Sequence, residues 1–230
     1  MTKERPHVQT MTIEEMVSLL KAELSALKEG QRYILGIAGY PGAGKSTVSQ
    51  WLEQGVNKEY EGWVKVVPMD GYHFSNEKLE QMQLRELKGI PESFDAPNFI
   101  DLLRRLRTTT NKNVYCPRFD RSIEASIEDA IVVSPQHKLC IVEGNYLLHT
   151  EEPWQECKSY FDEIWFLDAT FDTILPRLIE RHIQGGRSEA GAQAKVESTD
   201  LPNARLIDKT KFRADRVIDV IEEKHKASTS

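Results

Sequence analysis

A glycine-rich segment followed directly by lysine and serine constrains this chain more than any other feature. Residues 39–46 read Gly-Tyr-Pro-Gly-Ala-Gly-Lys-Ser and match the pattern G-x-x-x-x-G-K-[ST] in full. An apolar run before it predicts a buried strand, and a helical pattern starts near Ser46. Glycines allow successive backbone N–H groups to turn inward, and the helix adds its positive N-terminal end. The segment therefore predicts a binding site for the phosphate groups of a nucleotide.

Each residue type in this segment suits a particular contact with ATP. Lys45 would reach the β- and γ-phosphates and contribute to catalysis, and the hydroxyl of Ser46 would complete the coordination shell of Mg²⁺. A chance turn before a helix is the alternative interpretation, which the flanking strand and helix disfavour. The predicted nucleotide-binding residues are Gly39, Tyr40, Pro41, Gly42, Ala43, Gly44, Lys45, Ser46 and Thr47.

Apolar runs and helical patterns alternate along the rest of the chain. Strands are predicted at residues 33–38, 63–67, 139–142, 164–167 and 217–220, the last at an edge of the sheet. Helices are predicted at residues 12–30, from 46, 76–87, 97–106 and 172–183. This alternation predicts an α/β fold of the P-loop NTPase type, with a doubly wound, mostly parallel sheet, helices on both faces and a small lid.

The length of 230 residues suits one substantial core. We expect an N-terminal helical extension over residues 1–30, a P-loop domain over 31–223 with a lid near 177–200, and a polar tail over 224–230. The net charge of −6 disfavours nucleic acid as a partner. Three cysteines without metal-type spacing indicate a reducing compartment, and no stretch is apolar enough to span a membrane. We expect a cytoplasmic protein with no membrane partner, and a homodimer is left open.

Two acids end predicted strands at the same rim of the sheet as the glycine-rich segment. Asp70 follows residues 66–69 and would accept a proton from the acceptor hydroxyl, so it is a predicted catalytic and substrate-binding residue. Glu143 follows residues 140–142, where an acid acts on Mg²⁺ directly or through water; with Ser46 it forms the predicted metal site. Asp168 also ends a strand, but a helix cap explains it equally well.

Arginines and aromatic residues supply the remaining candidates. Arg177 and Arg181 share a helical face beside the glycine pair at 185–186, which suits a lid whose guanidinium groups neutralise phosphate charge. A solvated basic face is the alternative. Residues 115–121 would line the acceptor pocket or form a hairpin edge. The predicted substrate-binding residues are Asp70, Tyr72, His73, Arg118 and Asp120.

Four segments resemble one known family. They are residues 39–47, Pro-Met-Asp-Gly-Tyr-His at 68–73, Pro-Arg-Phe-Asp-Arg at 117–121 and Ile-Val-Glu-Gly-Asn-Tyr at 141–146, and they resemble the phosphoribulokinase/uridine kinase group. Residues 202–204 and 214–218 are most similar to its nucleoside- or fructose-kinase-like members. The resemblance implies a P-loop kinase fold, ATP with Mg²⁺, an aspartate base at Asp70, a metal-associated Glu143 and a lid carrying Arg177 and Arg181. It also implies that Asn203 approaches the nucleotide or the acceptor.

The acceptor does not follow from this resemblance. Uridine kinases carry serine and phenylalanine where this chain has Gly71 and Tyr72, and the extended substrate segment of pantothenate kinases is not found. We expect an ATP-dependent phosphotransferase acting on the hydroxyl of a nucleoside such as uridine, a sugar or pantothenate. An ATP-binding switch or adaptor without such an acceptor is the alternative. A regulatory GTPase is disfavoured, because residues 111–114 lack the aspartate of a guanine-specificity element.

Overall fold

The computed structural model describes residues 7–221. The predicted polar tail at residues 224–230 lies outside the described residues. The strands are β1 (Val8–Met11), β2 (Tyr33–Gly39), β3 (Val64–Pro68), β4 (Val114–Asp120), β5 (Ala125–Val133), β6 (Leu139–Glu143), β7 (Glu163–Asp168) and β8 (Arg216–Val220). The helices are α1 (Ile13–Ala26), α2 (Lys45–Asn57), α3 (Asn76–Gln81), α4 (Ala96–Thr108), α5 (Phe171–Gln184), α6 (Glu189–Lys195) and α7 (Leu201–Asp208).

Six strands form one sheet in the order β1-β8-β7-β2-β6-β3, and every neighbouring pair is parallel. The predicted α/β fold of the P-loop type is therefore confirmed. The prediction that residues 217–220 form an edge strand is wrong, because β1 pairs with β8 and covers it. β1 has only four residues, too few for a clear alternation of apolar and polar side chains.

Apolar side chains cover both faces of the sheet. On one face, Leu20 of α1 and Leu52 of α2 belong to the same buried cluster as Trp165 of β7. On the other face, Phe99 of α4 and Leu178 of α5 pack in a second cluster with strand residues. Burial on both sides explains why β2 is apolar along its whole length, with all seven residues buried. No helix within residues 7–221 is long and apolar enough to cross a membrane.

The predicted start of α1 is confirmed, whereas α1 ends at Ala26 instead of near Gly30, and the end of α3 differs as well. Thr12 caps α1, and its side chain and that of Glu15 form the expected capping box. The helix predicted over residues 76–87 ends instead at Gln81. Gln83 has a φ of 60°, outside the helical region, and a short 3₁₀ turn over Arg85–Leu87 follows. This break directs residues 85–89 toward the cavity described below.

The strands β4 and β5 form an antiparallel hairpin separate from the main sheet. The backbone of β4 comes very close to the 3₁₀ turn Met69–Tyr72 that follows β3. A Cβ atom added at Gly71 would lie 2.4 Å from the carbonyl oxygen of Pro117. Glycine at this position therefore allows the hairpin to pack beside Asp70.

Candidate active site

The glycine-rich segment connects the central strand β2 to helix α2, as the sequence predicts. Gly44 precedes the first residue of α2 with a φ of 87°, a conformation that favours glycine. Because glycine has no side chain, Gly44 leaves the first N–H groups of α2 without a side-chain cap. Because these N–H groups and the positive end of the helix point the same way, the loop suits an anionic ligand.

Lys45 is buried at the start of α2 and is held by three acceptors. Its Nζ atom donates to the carbonyl oxygens of Gly39 at 3.0 Å and Tyr40 at 2.9 Å, and to Oδ1 of Asn145 at 2.6 Å. Burial lowers the pKa of Lys45 to about 8, although the nearby carboxylates of Glu143 and Asp70 oppose the shift. Asn145 was not among the predicted site residues; its place two positions after Glu143 is the signal in the sequence.

Tyr40 connects the phosphate loop to the end of α7. Its hydroxyl donates to Oδ1 of Asp208 at 2.7 Å and lies 3.4 Å from Oδ1 of Asp168. Asp168 also pairs with Nζ of Lys211 at 2.7 Å. Asp168 is thus engaged in holding the loop and the C-terminal elements together, which agrees with leaving it out of the predicted site.

Ser46 lies in the first turn of α2, which follows β2 and the phosphate loop, and Glu143 is the last residue of β6. Their side chains meet because β6 pairs with β2. The Ser46 hydroxyl donates to Oε1 of Glu143 at 2.8 Å. Burial raises the pKa of Glu143, and the negative charge of Asp70 adds to the effect. These two oxygen ligands fit Mg²⁺, which is commonly held by one or two protein oxygens together with phosphates and water. The described part of the chain contains no group of three or more His, Cys, Asp or Glu side chains able to hold a metal.

Asp70 lies in the 3₁₀ turn after β3 and faces the hairpin. Its Oδ2 atom is 3.8 Å from Nη2 of Arg121. The carbonyl oxygen of Asp70 accepts a bond from the backbone N–H of His73 at 3.1 Å and lies 2.9 Å from its Nδ1. Burial lowers the pKa of His73. The His73 ring packs between Phe94 and Phe119, with ring centroids 3.9 and 5.1 Å away.

The predicted lid is a helical segment that begins with α5. Nη1 of Arg177 lies 3.4 Å from the carbonyl oxygen of Gly42, so α5 contacts the phosphate loop. His182 of α5 pairs with Asp200 at 2.7 Å, and Asp200 ends a π-helical turn between α6 and α7. This pair fixes α5 against the segment that follows it.

Most of these groups border one cavity of about 990 Å³, whereas the predicted residues Gly39, Tyr40 and Ala43 are not part of its lining. Of the predicted residues, those that line it are Pro41, Gly42, Gly44, Lys45, Ser46, Thr47, Asp70, His73, Glu143, Arg177 and Arg181. Asn203 also lines the cavity, as the resemblance implies. Further cationic residues that line it but were not predicted to bind the acceptor are Arg85, Lys88 and Lys195. They are distant in sequence from the recognised motifs, and no pattern marks them.

Three predicted substrate-binding residues do not line the cavity. Tyr72 is buried against Phe99, with ring centroids 5.4 Å apart. Alternation along β4 brings Phe119 to the cavity and leaves Arg118 and Asp120 outside its lining. The carboxylate of Asp120 instead accepts bonds from Ser122 at 2.6 and 2.9 Å.

Comparisons with known proteins show the family to which this chain belongs. The model of the phosphoribulokinase/uridine kinase family matches residues 34–227. A Schizosaccharomyces pombe protein named "putative uridine kinase" is 32% identical over 207 residues, which cover 87% of this chain and 88% of that protein. The Escherichia coli protein YggC, named as uncharacterized, is 34% identical over 203 residues, 88% of this chain and 84% of that protein.

A solved structure also resembles this chain closely. It is described as a "putative fructose transport system kinase" from Silicibacter sp., and it superposes with a TM-score of 0.82 at 32% identity. The superposition covers 90% of this chain and 98% of that one. The chain therefore belongs to the phosphoribulokinase/uridine kinase family of P-loop kinases, which use ATP.

Proposed function

We propose that this protein transfers the γ-phosphoryl group of ATP, held with Mg²⁺, to a hydroxyl group of a small molecule bound beside Asp70. The observation that carries the proposal is that the phosphate loop and the carboxylate of Asp70 line the same cavity. A nucleotide at the loop and an acceptor at Asp70 would then share one enclosed site, as transfer between them requires.

The side of the cavity that contains the phosphate loop, here called the donor side, would bind the phosphates of ATP. Lys45 and the N-terminal N–H groups of α2 would bind the phosphate oxygens, and Ser46 and Glu143 would hold Mg²⁺. Bound Mg²⁺ would supply positive charge to the phosphates that donate the phosphoryl group. Asn145 keeps the Lys45 side chain directed along the loop through its 2.6 Å bond.

The acceptor side offers one carboxylate for the proton of the reacting hydroxyl. Asp70 would accept that proton while the acceptor oxygen forms its bond to the γ-phosphorus and the bond from that phosphorus to the leaving ADP oxygen breaks. Arg121, 3.8 Å from Asp70, would orient the carboxylate. The ring of His73 packs between Phe94 and Phe119 and lines the cavity, so it would form a wall of the site.

The arginines of α5 supply charge at the opening of the cavity. Arg177 already contacts the phosphate loop through Gly42, and Arg181 lines the cavity one helical turn further on. Guanidinium groups pair well with phosphate oxygens and would compensate the negative charge that shifts to the leaving ADP.

Acceptor-stimulated ADP formation tests this proposal. The full chain is assayed with Mg²⁺ and ATP against uridine, cytidine, fructose, pantothenate and glycerate. We expect one acceptor class to raise turnover clearly above the acceptor-free rate, and Lys45→Ala to abolish the increase. Lys58→Ala is the matched control, because Lys58 is an exposed lysine at the other end of the same helix. ATP turnover that no acceptor changes would contradict the proposal and favour an ATP-dependent switch.

A further inference from the structure

The cavity carries an excess of positive charge that the whole chain does not have. Its lining contains eight Lys and Arg side chains against four carboxylates. The full chain has 30 Lys and Arg residues against 36 Asp and Glu residues. Lys45, Arg177 and Arg181 lie at the phosphate loop or on α5 and are accounted for by a nucleotide. Arg121 pairs with Asp70, and Arg187 lies just after the end of α5. The three remaining cations of the lining need a different explanation.

Arg85, Lys88 and Lys195 form a second group of cations, here called the Arg85 cluster. Nζ of Lys88 lies 4.7 Å above the centre of the Phe119 ring and pairs with Glu124 at 3.1 Å. Nζ of Lys195 donates to the carbonyl oxygen of Glu86 at 2.7 Å, next to Arg85 in sequence. The cluster therefore joins the segment after α3 to the C-terminal end of α6.

The side chains of two members form no hydrogen bond or ion pair with an acidic side chain in the described part of the chain. Within residues 7–221, the guanidinium group of Arg85 makes no hydrogen bond or ion pair, and its side chain is partly buried in the cavity wall. Lys195 bonds only to backbone carbonyl groups. Burial lowers the pKa of Lys195; the carboxylates of Asp200 and Glu86 oppose this shift, and the positive charges of Arg187 and Arg85 add to it. Cations held close together in a partly buried wall favour the binding of an anion.

The Arg85 cluster lies on the Asp70 side of the cavity. Lys88 covers the Phe119 ring, and that ring is 5.1 Å from His73, which contacts the backbone of Asp70. The same arrangement disfavours a stacked nucleobase. Lys88 and His73 both pack against Phe119, while Tyr72 is buried against Phe99. The acceptor side therefore offers cations where a nucleoside would need an open aromatic surface.

We infer that the acceptor carries an anionic group, a phosphate ester or a carboxylate, which Arg85 and Lys195 bind while an acceptor hydroxyl faces Asp70. This inference rests on the proposed kinase function. Arg85 is the specificity-determining residue, because a guanidinium group binds either anion with two parallel hydrogen bonds.

Matched neutral and anionic acceptors test the inference. ADP formation is measured with fructose and fructose 6-phosphate, glycerol and glycerate, and pantothenol and pantothenate. We expect the anionic member of one pair to be the better acceptor by at least ~10-fold in kcat/KM. The pair that responds identifies the anion as a phosphate ester or a carboxylate. A neutral member, or uridine, that works as well as the best anionic acceptor would overturn the inference while supporting the kinase function.

Replacing the guanidinium group of Arg85 by a neutral amide tests whether Arg85 causes the preference for an anionic acceptor. Arg85→Gln should lower kcat/KM for the anionic acceptor by about 10- to 100-fold, mostly through KM, and leave ATP affinity unchanged. Arg205→Gln is the matched control, since Arg205 is exposed on α7 and does not line the cavity. An equal KM in Arg85→Gln and the parent would remove Arg85 from this role.

A binding measurement keeps the inference testable if no acceptor in the panel reacts. Inorganic phosphate is titrated calorimetrically into the protein saturated with Mg²⁺ and a non-hydrolysable ATP analogue, so that the phosphate loop is filled. We expect phosphate to bind the parent and the Arg205→Gln variant, with binding lost in Arg85→Gln. Binding without turnover would count against the kinase function and still support the anion site. The same heat in all three proteins would overturn the anion site.

Discussion

Asp70 is the residue on which the proposed transfer depends most. It lies in the short 3₁₀ turn that follows β3, and it lines the cavity together with the phosphate loop. Its only ion-pair partner in the described part of the chain is Arg121, at 3.8 Å. A carboxylate placed in this way remains available to the acceptor hydroxyl.

Asp70→Asn should leave ATP affinity near that of the parent and lower phosphoryl transfer by at least ~100-fold, because an amide cannot accept the proton. Transfer is measured under single-turnover conditions, and ATP affinity by calorimetry. Asp219→Asn is the control, since Asp219 is exposed on β8, does not line the cavity and should keep the parent rate. A near-normal rate in Asp70→Asn would remove Asp70 from the role of base.

Gly71 controls how closely the hairpin approaches Asp70. Gly71→Ala would place a methyl group 2.4 Å from the carbonyl oxygen of Pro117, so β4 has to move. We expect a loss of about 1–3 kcal/mol in the free energy of unfolding, measured with urea, and a rise in acceptor KM. Gly185→Ala is the control for stability alone, because the atom nearest to its added Cβ would be at 3.4 Å, although Gly185 lines the cavity. Equal stability of the two variants would show that this close approach is not needed.

The predictability of single residues depends on whether a motif contains them. Lys45, Ser46, Asp70 and Glu143 follow strand ends in recognisable patterns, and the structure brings all four to one cavity. Arg85 and the other cations of its cluster come from segments without a motif, so only their packing reveals them. Arg118 and Asp120 illustrate the opposite case, because alternation along β4 leaves them outside the lining while Phe119 lines it.

Among the elements, α5 and the segment after it have the features of a lid. Arg177 and Arg181 lie on exposed surface of α5, and one bond of 3.4 Å joins Arg177 to the phosphate loop. The His182–Asp200 pair joins α5 to the turn before α7, which favours movement of this segment as one unit. Such a segment is able to close on a nucleotide and exclude water from the phosphates.

ATP should protect residues 177–188 from trypsin, because cleavage there follows arginines that would then contact phosphates. The fragments are identified by mass spectrometry after limited digestion with and without Mg²⁺ and ATP. Lys45→Ala, treated in the same way, should show no protection, since it binds ATP poorly. Equal cleavage of the parent under both conditions would argue against a lid at this place.

Strands and helices were predicted correctly where a run of apolar residues or a capping box marks them. A helix end was predicted wrongly where the backbone conformation of a single residue decides it. The buried strands β2, β6 and β7 are clear from their apolar runs, and α1 from its capping box. The end of the helix predicted over residues 76–87 was wrong, because the positive φ of Gln83 breaks it. No sequence pattern marks glutamine as a residue that adopts this conformation.

In the whole molecule, strand order explains why distant residues share one site. β2 lies between β7 and β6, and β3 follows β6, so the ends of β2, β6 and β3 are neighbours. The phosphate loop follows β2, Glu143 is the last residue of β6, and Asp70 lies in the turn after β3. In an open parallel sheet, ligands bind beyond the carboxyl ends of the strands. Parallel pairing keeps these strand ends in register, so the sheet would place the nucleotide and the proposed acceptor side by side.

The most direct test of the proposed phosphoryl transfer is to follow where the γ-phosphorus of ATP goes. ATP, Mg²⁺ and the acceptor panel are incubated with the full chain, and phosphorus NMR follows the γ-phosphorus. We expect the γ-phosphorus to appear as a phosphate ester of one acceptor, in an amount equal to the ADP formed, and Lys45→Ala to form none. Release of the γ-phosphorus only as inorganic phosphate, with every acceptor, would contradict the proposed transfer.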